Sequence, residues 1–512
     1  MMYVRRFDLS WVTRLELACR MLSRGFDSWG LVTDLAKRHR VCRQFLYDNL
    51  AEVKLVFSGA AQSGPDTGDE STHMLILALR LFCDASLDGI SSVLKEMGLA
   101  PCSTGHISGF LSGVGARCKL DIPAGGPPRT VLVDETFIGG IPILVVMDAW
   151  SHCILSITLA PDRTKETWVS ELRKLLDQGV AIGLLVKDQG SSLKAAAVEL
   201  GIPERSDLFH LLYRFDPILG SLESRAYGAI HHEAERQHVH KNRKTKRSRR
   251  KSLAKLKAAS NEAARAVRGS DDYDYLHKCL HEAFDSFTAD GDLRGRSTAE
   301  GDLEAAMALL EEEFPSHEKI RDAVRFLRKN LTDYWGYFEE LESIVNHHGA
   351  FIPEHTLRAV CLAWQLARKA MAVKRPESKK ELARQSKEQM ELATTGVDGK
   401  LKESIESLRK ELDSNVRSSS PLEAVNSVIR DHLNSCRGQT TQEALTLLAY
   451  FLNHRQATRG KYKGTSPYGR MTDIQEDASP IQRILRLSPR SVKWEASPAP
   501  KPFPRTEALE AS

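Results

Sequence analysis

The chain lacks any Cys-x-x-Cys pair: its nine cysteines stand singly along 512 residues, from Cys19 to Cys436. That spacing argues against both a disulfide framework and a thiolate zinc site, and it fits a reducing interior. It also lacks any stretch of the ~18 uninterrupted apolar residues that a membrane span needs. The opening, Met1-Met2-Tyr3-Val4-Arg5-Arg6, has no apolar run of the secretion-signal kind. A soluble, cytoplasmic protein without a membrane partner is expected. An overall excess of one charge is missing too, since 72 Lys and Arg against 67 Asp and Glu leave only +5. Any preference for nucleic acid must therefore sit in local clusters. What is present is ordinary globular material, 42% hydrophobic and 27% charged, with room for about three domains.

Residues 8–57 and 70–120 each read as three short amphipathic helices, with the helix-turn-helix spacing of a DNA-binding unit. Between them, residues 58–68 are rich in Gly, Ser and Pro and predict a flexible linker. After Pro123-Ala-Gly-Gly-Pro-Pro-Arg129 the period changes. Thr130–Phe137, Ile141–Ala149 and His152–Leu159 predict three antiparallel strands joined by tight turns. A helix (Lys165–Asp177), a fourth strand (Ile182–Lys187) and a helix (Ser191–Leu200) follow, and Asp207–Tyr213 is a candidate fifth strand. That succession matches the order of the ribonuclease H fold. Residues 220–412 read as wholly helical, with breaks near Asp290–Ser297 and Thr394–Lys400. Two more helices are expected in 413–456, then a basic, largely irregular tail over 457–512. The predicted class is thus multidomain α and α/β, with a mixed-sheet core over 129–219 and 413–456 interrupted by an all-helical insertion.

Two carboxylates stand out by context. Asp134 lies in Thr130-Val-Leu-Val-Asp-Glu-Thr-Phe137, near the end of the first predicted strand. Asp188 closes Leu184-Leu-Val-Lys-Asp-Gln-Gly190 at the end of the fourth. A carboxylate in so apolar a strand is costly unless it is paired or binds a cation. If the two strands are neighbours, the carboxylates converge as hard divalent cations require. The plainer alternative is that each Asp caps its following turn. Glu423 follows Ser420-Pro421, a helix-start signal, with Asn426 and Arg430 on the same face at i+3 and i+7. A metal ligand flanked by phosphate contacts suits that stripe, and so does a carboxylate complementing the helix dipole.

Val-Leu-Val-Asp134-Glu-Thr, Val-Lys-Asp188-Gln-Gly-Ser-Ser-Leu and Ser-Pro-Leu-Glu423-Ala-Val-Asn-Ser-Val-Ile-Arg resemble the three signatures of DDE-type insertion-sequence transposases, kin of retroviral integrases. The resemblance implies a ribonuclease-H-like core whose Asp134, Asp188 and Glu423 hold two magnesium ions, with manganese as a substitute. It implies cleavage and joining of double-stranded DNA, transposon ends and target alike. It further implies a homo-oligomer that brings two ends together in a nucleoid-associated complex. Glu-x6-Arg resembles a signature of several such families, although their Arg and Tyr positions upstream are Ser419 and Val416 here. Asp207 and His210 resemble the Asp-x-x-His motif of hAT-like transposases, which also carry a helical insertion; there His210 would organise the site. Glu135 is expected on the opposite strand face from Asp134, and Asp148 to serve as a turn residue. Two alternatives remain: a catalytically silent relative that only binds DNA, or a structure-selective nuclease of the same fold.

DNA contacts are expected at four further places. Residues 241–257 hold ten Lys or Arg and no acid, among them Arg243, Lys244, Lys246, Arg247, Arg249 and Arg250. Such a run draws phosphate in a salt-sensitive, sequence-blind way. Arg43 and Gln44 open the helix Val41–Asn49, preceded by Arg38, His39 and Arg40, and are placed to read base edges. Ser103–Ser108 takes the equivalent place in the second unit. Lys461 and Lys463, after Tyr450-Phe-Leu-Asn-His-Arg455, form a basic loop. Trp335 and Trp364 are candidates for stacking on a base or for core packing.

Overall fold

Six helices precede the sheet: α1 (Trp11–Ser23), α2 (Leu31–His39), α3 (Arg43–Ala60), α4 (Gly64–Cys83), α5 (Leu87–Glu96) and α6 (Thr104–Gly115). The computed structural model describes residues 9–487 except 10, 24–29, 40, 61–63, 100–101, 189, 374, 437–439, 475 and 477. Ser86 and Ser103 cap α5 and α6, their hydroxyls accepting from Gly89 and His106 N–H. The linker expected at 58–68 is corrected at its two ends, where helix continues to Ala60 and resumes at Gly64; residues 61–63 lie outside the described residues. Leu75, Ile76, Leu77, Ala78 and Leu79 in α4 are all buried. A helix buries five consecutive residues only when neighbours surround it. Helices α1, α3 and α5 supply those neighbours, so both N-terminal groups share one core with a face of the sheet.

The sheet comprises β1 (Arg129–Ile138), β2 (Ile141–Asp148), β3 (Ile154–Leu159), β4 (Ile182–Lys187) and β5 (Glu204–Ser206), with α7 (Lys165–Asp177) and α8 (Ser191–Leu200) between the later strands. Its order is β3-β2-β1-β4-β5. The first three strands are antiparallel, and β4 and β5 run parallel to β1 and β4. Val131 and Val133 face α7 and α8, whereas Leu132 faces the N-terminal helices. The fifth strand expected over 207–213 is corrected: β5 ends at Ser206, and α9 (Leu208–Leu212) follows. Asp207 caps α9, and Leu208, Leu211 and Leu212 fall at the helical i, i+3, i+4 spacing.

The insertion is helical throughout its regular elements. It comprises α10 (Asp216–Lys241), α11 (Lys246–Ala283), α12 (Arg296–Glu313), α13 (Glu318–Asn330), α14 (Gly336–Gly349), α15 (Glu354–Ala372), α16 (Pro376–Thr394) and α17 (Gly399–Ser414), with a 3-10 turn at Thr332–Tyr334. Its core joins α9 and the start of α10 to the end of α11 and the later helices. Trp335 and Trp364 are buried in that core, and Trp364 donates to Asp413 Oδ1 at 2.9 Å. Helices α10 and α11 pair as a hairpin. On α10 the buried positions stop at Ala226; the outer part of α11 buries only Ser252, Ala259 and Ala263 toward its partner. The outer hairpin is therefore an arm resting on itself, about 22 Å long on the α10 side at 1.5 Å per residue.

The chain returns through α18 (Ser420–Asn434) and α19 (Gln442–His454). The tail expected to be largely irregular carries α20 (Pro467–Thr472) and α21 (Pro480–Leu487); residues 488–512 lie outside the described residues. Helix α21 buries Ile481 and Ile484 in the N-terminal core. No helix among the described residues is long and apolar enough to cross a membrane.

Helices α6 and α19 meet backbone to backbone, since a Cβ on Gly115 would lie 2.2 Å from the Glu443 carbonyl oxygen. Gly115→Ala should therefore push the two helices apart and cost about 1–3 kcal/mol. A denaturant titration checks this, and an unchanged midpoint would contradict the contact.

Candidate active site

Asp134 stands on the β1 face that packs under α18, near the point where β1 outruns β4. Its Oδ2 accepts from Asn426 Nδ2 at 2.7 Å and its Oδ1 from the Glu135 N–H at 2.9 Å. Glu135 turns to the other face, where Arg163 pairs with it at 2.6 Å. Leu422, Ile429 and Leu433 hold α18 in the core beside Leu132, and that packing sets Glu423 and Asn426 over Asp134. The helix start falls one residue earlier than expected: Ser419, not Ser420, is the N-cap.

Asp134, His210 and Glu423 offer ligand atoms that all lie within 4.8 Å of one another. His210 Nε2 is 3.6 Å from Glu423 Oε1, and Arg430 approaches Glu423 Oε2 at 3.8 Å from its exposed position. Burial first, then the neighbouring Glu423 carboxylate, pushes the Asp134 carboxyl up to about 8. Burial works against a charged His210. The hydrogen bond and charge of Asp207, with the carboxylates of Asp134 and Asp188, outweigh it and raise the imidazole to about 8. Three acid or base groups thus crowd one half-buried place, as a catalytic or cation-binding site requires.

Asp188 stands one strand away at the end of β4, near enough for its charge to act on His210. It is not part of the close group, and its Oδ1 accepts from the Gly190 N–H at 2.8 Å. That bond is the turn-capping alternative, present alongside the proximity. Asp148 is a buried turn residue, accepting from Ser151 N–H at 2.7 Å and Oγ at 2.5 Å.

Asp207 explains how the long insertion delivers Glu423 to the sheet. It is fully buried and accepts from Phe209 N–H (3.1 Å), Ser419 N–H (2.8 Å), Ser419 Oγ (2.6 Å) and His210 Nδ1 (2.6 Å). Despite burial, these bonds, led by that of His210, hold its carboxyl below the ordinary range. Beside it the Leu208 N–H donates to the Arg417 carbonyl at 3.0 Å. Arg205 bonds Asn415 Oδ1 and the Val416 carbonyl, each at 2.8 Å. The returning strand of chain is buckled to β5 and α9 just before α18 begins. Asp207→Asn offers two donors where four donors converge. It should cost about 3–5 kcal/mol, read as a lower unfolding midpoint; a change under 1 kcal/mol would show that the buckle matters little.

Ser419 and the exposed pair Phe209 and Tyr213 were not singled out by sequence. The rings of Phe209 and Tyr213 lie 5.3 and 5.9 Å from His210. A helical spacing in 207–213 carries a signal for the aromatics; Ser419 has none without the tertiary contact. The other expected DNA contacts are spread apart. Arg43 and Gln44 are exposed on α3, with Gln44 bonded to Asp48 at 2.8 Å, while Arg38 lies in the last turn of α2 and Arg40 lies outside the described residues. Arg243, Lys244, Lys246, Arg247, Arg249 and Arg250 are exposed at the tip of the α10–α11 arm. Lys463 is exposed, and Lys461 pairs with Asp413 at 3.0 Å and lies 5.5 Å from the Trp150 ring centroid. No protein-family model matches the chain, and no curated protein matches it.

Proposed function

We propose that this protein is a DNA transposase that binds element ends and cuts and joins DNA strands with divalent metal. The observation that carries the reading is the meeting of Asp134, His210 and Glu423 from β1, α9 and α18, with Asp188 at the adjoining strand end. The sheet order supports it, since a ribonuclease-H-like core calls for a three-strand antiparallel meander with two parallel strands beyond its first strand.

Magnesium fits the donor set. Hard carboxylates suit it, and Asp134 is an acid whose ionisation is opposed by burial and by Glu423. Asn426 Oδ1, buried above Asp134, accepts no hydrogen bond. Asp134, Asp188 and Glu423 would hold the metal. Bound there, magnesium supplies the Lewis acidity that makes water or a 3′-hydroxyl nucleophilic and neutralises the leaving oxygen. The chain's own groups do the rest. Asp207 fixes the ring of His210 through Nδ1, so Nε2 faces Glu423, and the imidazolium balances charge among the carboxylates. Arg430 presents guanidinium donors to a phosphate. Phe209 and Tyr213 suit stacking on an unpaired base.

Labelled DNA carrying the inverted repeats that flank the gene tests the reading. The parent chain should cut and join it with magnesium. Asp188→Asn and Glu423→Gln should bind it without cutting, and cleavage by either variant at the parent rate would end the assignment. A second reading, end binding without chemistry, is favoured by the Asp188–Gly190 bond. Binding by a parent chain that never cuts would select it.

A further inference from the structure

At the base of the arm, Asp216 opens α10 while His277 and His281 lie one turn apart near the end of α11. His277 Nε2 is 3.0 Å from Asp216 Oδ1, His281 Nε2 is 3.8 Å from the same oxygen, and the two Nε2 atoms are 3.3 Å apart. A tetrahedral zinc with bonds of about 2.0–2.1 Å holds its ligand atoms about 3.3 Å apart. The three separations straddle that value. Two imidazoles at i and i+4 both turn the same nitrogen inward, toward one carboxylate oxygen. The His277 ring is mostly covered and lies against Tyr273, with centroids 6.0 Å apart. Tyr273 in turn donates to the Phe215 carbonyl at 2.9 Å, one residue before Asp216. The scaffold under the trio is therefore tied to the chain just before Asp216. His281 and Asp216 are about half exposed, which leaves a fourth position open to water.

We propose that Asp216, His277 and His281 form a second metal site, separate from the carboxylate site, that takes a zinc-class divalent ion with water as fourth ligand. Two imidazoles and one carboxylate select borderline ions such as zinc over magnesium, which prefers oxygen donors. Asp216 and His277 are 61 residues apart in sequence, so the ion closes the loop that contains the whole arm. It pins the arm's base where α10 leaves the α9 segment carrying His210. Loops of that length are where a metal clip restricts the unfolded chain most.

The test is zinc titration of the full chain against a chromogenic competitor, in an Asp134→Asn, Glu423→Gln background that silences the other candidate group. One equivalent of zinc is expected, with affinity falling at least about tenfold in His281→Gln and in Asp216→Asn. Cobalt should give an intense tetrahedral visible band that both variants lose. Zinc should raise the melting temperature of the background chain and of neither variant. Both positions are partly exposed, so these variants should fold; His277→Gln is a third test if its melt without metal matches the background. No stoichiometric uptake, or equal uptake in parent and both variants, would overturn the site and leave a hydrogen-bonded trio. Neither result depends on DNA cleavage.

Discussion

In EDTA at pH 8, Asp134→Asn is expected to melt a few degrees above the parent chain, and magnesium is expected to raise the parent only. The cause is a buried acid held against its will. Burial and the adjacent Glu423 push the Asp134 carboxyl up to about 8, while an unfolded chain ionises it near the ordinary 3.8. Between those values the folded state binds the extra proton, so stability falls as pH rises from about 4 to about 8. Asparagine has no charge to bury and can still meet Asn426. The gain should therefore vanish below about pH 4, be largest near pH 8, and reach on the order of a few kcal/mol, hence a few degrees. A divalent cation reverses the comparison by favouring the ionised form. The same variant should lose strand cleavage by about 10³-fold or more while keeping end binding, since ligand loss removes several kcal/mol of transition-state stabilisation. Differential scanning calorimetry with and without magnesium reads the first effect, and a cleavage assay the second. Asp134→Asn that melts lower than the parent at pH 8 would mean the carboxylate stabilises the fold instead.

Strand alternation made the first part of this site legible. Asp134 and Glu135 are neighbours in sequence, and period two alone separates the face under α18 from the face toward Arg163. The helix stripe of Glu423, Asn426 and Arg430 was legible for a similar reason. What the sequence could not carry was the buckle. Asp207 and Ser419 lie 212 residues apart, and their bond depends on where the insertion returns the chain. The apolar run 207–213 misled because so short a run is too little for periodicity to separate strand from helix; the Asp207 cap decides it. The Gly- and Ser-rich stretch at 58–68 misled at its two ends, which are helix up to Ala60 and from Gly64. Local preference favours a turn there, but the core around α4 draws both helical groups together.

Neutralising Arg243, Lys244, Arg247, Arg249 and Arg250 to Gln should weaken DNA binding by about 10²–10⁴-fold at 0.15 M salt, and by almost nothing near 1 M. Each phosphate contact contributes about 0.9 to the slope of log affinity against log salt. Three to five lost contacts then lower the slope by about 3 to 4.5, which extrapolates to that range. The geometry explains why the effect should be concentrated here. The run without acids, 241–257, spans the turn between α10 and α11, and all five side chains are exposed. An arm of about 22 Å carries this charge beyond the ~8–10 Å over which salt lets body charges compensate it. Thr245 caps α11, its hydroxyl accepting from the Ser248 N–H, so the turn does not depend on the substituted residues. Stability should accordingly stay unchanged. Arg384 is the control, an exposed cation on α16 held by Glu381 and Glu388. Its charge is already compensated, so Arg384→Gln should leave the salt slope where it was. The loss should be equal for element-end DNA and random DNA, because backbone contacts carry no sequence information. Fluorescence anisotropy over a salt series measures all of this. A five-fold variant with the parent slope would show that the arm tip does not touch phosphate.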